Sequence, residues 1–210
     1  MKNRSEQRWL ALWQRLGAQG DASAVYNDLV ARYSEPHRAY HTLQHIGHCL
    51  DELEQTRYLA ENPDAVELAL WYHDAIYDTK AKDSEERSAT LAVEMVKNAS
   101  LSDNLGQSVA NLIMTTKHTT APTNPDDQLL VDIDLSILGQ TEDRFDEYER
   151  QVRKEYEWVP EDQFVAGRSA ILKSFLDRPN IYSTRFFRNK YEVQAKANIA
   201  RSLAKLSNRS

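Results

Sequence analysis

Six glycines and six prolines punctuate a chain of 210 residues, and almost all fall between segments whose apolar residues recur at helical spacing. A chain of helices is divided in this way, because proline stops a helix and glycine releases it. Alternating apolar and polar runs, which a half-buried strand needs, are nearly absent. The pattern predicts an all-α protein. A first helix is expected over residues 8–16, closed by the turn from Gly17 to Gly20. Asp21 then caps a second helix reaching about residue 33, which Pro36 breaks.

A long helix is expected over about residues 40–59. Asn62-Pro63-Asp64 offers the next one a cap, a proline at the first helical position and an acid in the first turn. That helix carries His73-Asp74. Asp83, with Glu86 three residues on, reads as a capping box opening a helix to about residue 98, and another spans about 102–116. Residues 117–126, with Pro122 and Pro125, read as a loop. A short helix over 129–138, closed by Gly139, precedes helices over about 141–158, 160–176 and 184–206.

Hydrophobic content of 41% and charged content of 28% are those of an ordinary globular protein. The single cysteine, Cys49, rules out an internal disulfide framework and fits a reducing compartment. The N-terminus has no signal-peptide core, and no apolar run approaches the ~20 residues that cross a bilayer. A cytoplasmic protein with no membrane partner is expected. Net charge is −6, yet from Arg178 onward Arg185, Arg188, Lys190, Lys196, Arg201, Lys205 and Arg209 face a single acid, Glu192. This reads first as a solvated helix face against an acidic body, and second as a phosphate-attracting rim. Nucleic acid is not expected as a partner, because the acidic remainder repels a phosphate backbone. The Trp9, Leu12 and Trp13 face is either core or an interface between copies in a homo-oligomer.

Chemistry concentrates in three places. His41, His45 and His48 share one face of the expected 40–59 helix. His73 and Asp74 stand in the otherwise apolar run Leu68-Ala69-Leu70-Trp71-Tyr72-His73-Asp74-Ala75-Ile76, where burial is costly without a partner. A divalent metal ion accepts neutral imidazole and carboxylate together. Asp132 and Asp134 stand two apart in the apolar run Leu129 to Leu138, and a buried carboxylate there would also want a cation. The histidine spacing lacks the glutamate of a zinc-protease helix.

The ordered strings Tyr40-His41-Thr42-Leu43-Gln44-His45, Trp71-Tyr72-His73-Asp74 and Asp132-Ile133-Asp134-Leu135 resemble the HD superfamily of metal-dependent phosphohydrolases, in particular its small bacterial branch. Phe164-Val165-Ala166-Gly167-Arg168 and Ile181-Tyr182 are similar to that branch too. The resemblance implies an HD-domain helical bundle with additional N- and C-terminal helices. Residues 1–210 would form one domain, with the metal-site core at about 24–140 and a C-terminal helical extension at about 141–210. His45, His73, Asp74 and Asp134 would be the metal ligands, with Asp134 preferred over Asp132, and the ion one of Mn, Mg, Fe, Co, Ni or Zn. His41 would protonate the leaving oxygen.

Asp78, four residues beyond Asp74 on the same helical face, would orient water or contact a second ion. Tyr77 stands where the related cyclic-nucleotide phosphodiesterases place a further histidine, and His118 is the candidate replacement. Arg38, Lys80, Lys82 and Arg168 are candidate phosphate contacts. The expected activity is hydrolysis of a small phosphoester, plausible as a nucleotide. Its rivals are a di-iron oxygenase on the same ligands and a non-catalytic metal or ligand sensor.

Overall fold

The computed structural model describes residues 3–118 and 122–208, which form ten α-helices and no strand. Arg209 of the basic tail and residues 119–121 of the proline-containing loop lie outside the described residues. Among the described residues no helix is long and apolar enough to cross a membrane. The chain divides into two compact units, Met1–Leu130 and Val131–Ser210, at a point ten residues ahead of the junction expected near 140.

In the first unit, α1 (Arg4–Leu16) starts earlier than expected, because Asn3 accepts the Glu6 amide at 2.8 Å and caps it. Gly17 ends it in the left-handed conformation at φ 70°, which glycine adopts without strain. Asp21 caps α2 (Ala22–Tyr33) through the Ser23 and Ala24 amides. Trp9 and Leu12 are buried and Trp13 is nearly so, which makes that face core. The Trp9 ring meets Trp71 edge-on at 5.5 Å, and its indole N–H donates to the Ala22 carbonyl at 2.8 Å.

Two helix boundaries depart from expectation in ways that matter for the site. The third helix, α3 (Leu43–Thr56), starts only after Thr42, whose hydroxyl accepts the Gln44 amide at 3.3 Å. His41 is therefore not on a helix at all. The fourth, α4 (Pro63–Tyr72), starts at the Asn62-Pro63 cap as read but stops at Tyr72. Residues 74–78 leave it as an irregular segment, so Asp78 does not share a helical face with Asp74.

The capping box at Asp83 is not formed. Asp83 makes no side-chain cap bond, and Glu86 accepts from Lys117 Nζ at 2.5 Å instead. The helix α5 (Ser84–Asn98) packs against α6 (Asp103–Thr115), and both contact α4.

The second unit begins inside α7 (Pro125–Asp134), which passes into a 3-10 turn, Leu135–Gly139. Then follow α8 (Glu142–Glu155), α9 (Glu161–Leu176) and α10 (Arg185–Ser207). Gly139 serves close packing rather than a left-handed cap: a Cβ there would fall 2.5 Å from Tyr191 Cβ on α10. Asp132 accepts the Ser183 and Thr184 amides at 2.7 Å each, tying α7 to the start of α10. Three of the six basic residues of α10 pair with acids within this unit: Arg201 with Asp146 at 2.7 Å, Lys205 with Asp146 at 2.8 Å and Lys196 with Glu192 at 3.0 Å. That favours the bland reading of the tail over a phosphate rim.

Candidate metal centre

The end of α4 explains how the site is held. A helix leaves its last four carbonyls without intrahelical partners, and a buried end must find them elsewhere. Here the Leu70 carbonyl lies 2.9 Å from His73 Nδ1, and Trp71 accepts from the Tyr33 hydroxyl at 2.9 Å. Tyr72 accepts from the Ala75 amide at 2.9 Å. Burial pushes the Tyr33 phenol up, with the Asp74 charge adding to the effect, so it stays protonated as that donor.

The bond to Leu70 has a chemical consequence. With Nδ1–H donating to the carbonyl, Nε2 of His73 carries the lone pair. Nε2 lies 3.0 Å from Asp74 Oδ2 and 3.1 Å from His45 Nε2, and His45 Nε2 lies 3.4 Å from Asp74 Oδ2. These three atoms form a cluster that could hold a metal ion. Two ligands bound ~2.1 Å from one ion at 90–109° lie about 3.0–3.4 Å apart, so the spacing suits a divalent cation. His45 and His73 are buried, while Asp74 keeps 17% of its side chain exposed. Burial opposes the Asp74 charge, but in their protonated forms His73 and His41, with the hydrogen bonds that His45 and His73 then donate, outweigh it and hold the carboxyl well below the usual carboxylate range.

His41 reaches this cluster from the loop before α3. Its ring centroid is 5.9 Å from that of His45, stacked on Tyr77 at 4.1 Å and edge-on to Tyr40 at 4.9 Å. The shared helical face was the wrong reason for grouping His41 with His45, since the loop brings them together. His48 is half-buried on α3 and is not one of the clustered donors. Cys49 is a neighbour the sequence reading passed over. Its Sγ lies 3.7 Å from His45 Nδ1, as the four-residue separation on one helix could have signalled.

Other expected site residues are placed differently. Arg38 is not available to phosphate. Its side chain is fully buried, and Nε and both Nη atoms donate to Glu35 and to the His41, Asp74 and Ala75 carbonyls. Arg168, in the second unit, is likewise buried, paired through Nε with Glu149 at 3.1 Å and lying over the Tyr148 ring. A phosphate there would have to displace a buried ion pair.

Asp78 is exposed and accepts the Lys80 amide at 2.9 Å, which makes it a turn residue. Lys80 and Lys82 are exposed in the same loop. His118 follows α6 with a left-handed backbone at φ 52° and is not one of the donors clustered with His45. Asp134 is half-buried at the end of α7 in the second unit. Asp132 is fully buried and spent on the α10 cap, and burial pushes its carboxyl up to about 6 despite the two amide bonds.

No protein-family model, curated protein or solved structure matches the chain.

Proposed function

We propose that the protein is a metal-dependent phosphohydrolase acting on a small phosphoester, with a nucleotide as the first class to test. The observation that carries this reading is the convergence of His45, His73 and Asp74, with the His41 ring beside it. His45 and His73 offer neutral imidazoles and Asp74 an anionic oxygen, a donor set that divalent transition metals accept. Asp134 remains the fourth candidate on the resemblance of the sequence. When bound, a divalent cation supplies Lewis acidity toward a phosphoryl oxygen and makes water a stronger acid.

The remaining tasks fall to the chain. The Leu70 carbonyl orients His73 and fixes the tautomer of the neutral ring, so that its Nε2 faces the Asp74 carboxylate. His41 holds the proton that passes to the departing oxygen, on a ring kept in place by Tyr77 and Tyr40. General-acid help of this kind is worth ~10²–10⁴-fold. The test is a screen of the protein loaded with Mn²⁺, Co²⁺ or Zn²⁺ against phosphomonoesters, phosphodiesters and nucleoside triphosphates. Turnover by the native chain, lowered by that factor in H41A with metal still bound, is expected. Bound metal with no turnover on any of them would sink the reading.

A further inference from the structure

Arg38 carries more than its own charge burial. Its Nη1 donates both to the His41 carbonyl at 3.0 Å and to the Asp74 carbonyl at 2.7 Å, and Nη2 donates to the Ala75 carbonyl at 3.2 Å. Glu35 neutralises the guanidinium from one side, while the rings of Tyr33 and Tyr77 lie 5.2 and 5.4 Å from its central carbon. A cation at the carboxyl end of α4 is also favoured by the partial negative charge of the helix terminus. The segment it grips is tied at its other residues too. Ser88 bonds the Ile76 amide and carbonyl at 3.0 and 3.2 Å, His37 Nε2 lies 2.8 Å from the Tyr77 carbonyl, and the Asp78 amide donates to Ser84 at 3.2 Å.

We propose that Arg38 is a positioning residue: by bonding the backbone carbonyls of His41 and Asp74 through one nitrogen, it sets the loop bearing the acid against the segment bearing the ligand. Lysine cannot reproduce it, because an ammonium placed between the His41 and Asp74 carbonyls leaves the Ala75 carbonyl and the Glu35 carboxylate without the donors that Nη2 and Nε supply. The chemical consequence rests on the phosphohydrolase reading. The structural claim does not.

Two measurements separate these parts. In the metal-free protein, amide hydrogen exchange of residues 74–78 in R38K and R38M is expected to rise at least ~10-fold, while α1 and α2 keep their rates. Unchanged exchange in both variants overturns the proposal. With Mn²⁺ and bis(p-nitrophenyl) phosphate, R38K is expected to lose about 100-fold in kcat with KM unchanged, the scale of a 1 Å misplacement. Placed in H41A, the same substitution should cost less than about threefold, because the group it positions is gone. A full, additive loss in that background would reduce Arg38 to general scaffolding and refute a role through His41. If the native chain turns over none of the phosphoesters, the phosphohydrolase reading fails, and the exchange measurement still decides whether the clamp exists.

Discussion

One buried polar cluster in each unit shows two opposite resolutions of the same cost. In the second, Asp132 meets two amide donors at 2.7 Å and Arg168 meets the Glu149 carboxylate, so each acceptor faces donors. In the first, two imidazole nitrogens and a carboxylate oxygen converge within 3.0–3.4 Å of one another, and the Leu70 carbonyl steers the lone pair of His73 toward the shared point. The former arrangement is complete as protein. The latter gathers ring nitrogens and a carboxylate oxygen into a group that could hold a metal ion, at a helix end whose carbonyls are otherwise answered.

The contrast can be broken most decisively at the cluster. H73A and D74N are each expected to weaken Mn²⁺ or Zn²⁺ binding by at least ~100-fold and to abolish turnover, read by calorimetry on metal-stripped protein. Native-like affinity in both would mean that the convergence is not a metal site. On the resemblance of the sequence, D134N is expected to lose about tenfold in metal affinity and D132N none. Equal effects would undo the preference between the two acids.

In the second unit the expected effect is on stability alone. D132A leaves the Ser183 and Thr184 amides without their acceptor and should cost about 2 kcal/mol in urea unfolding, with metal binding unchanged. The smallest effect belongs to Glu67, buried between Arg15 and Arg57 in the first unit. Burial raises its pKa in spite of the two arginines, so the folded protein binds this proton more tightly than the unfolded chain does. Its contribution is therefore full below the unfolded value and fades as pH rises through the folded one. E67Q should flatten that part of the stability profile, as denaturant titrations between pH 4 and 7 would show.

Local chemistry made much of the fold legible in the chain. Asp21 and Asn62-Pro63 cap helices as read, and Gly17 closes α1, since each acts on amides or carbonyls within a few residues. His45, His73 and Asp74 are marked as a set by the resemblance of the sequence. Competition between local signals was harder to judge. Thr42 outcompeted continuation of the helix back to Tyr40, and Lys117, 31 residues away, took Glu86 from its expected cap.

The sequence by itself determined the class of the fold and most helix starts, because those follow from periodicity and short-range hydrogen bonding. Only the tertiary structure decided that α4 stops at Tyr72, that His41 approaches from a loop, and that Arg38 serves backbone carbonyls 36 and 37 residues away rather than a phosphate. The physical reason is that every residue has a carbonyl. Which one a buried guanidinium will find leaves no mark on the identity of the side chains.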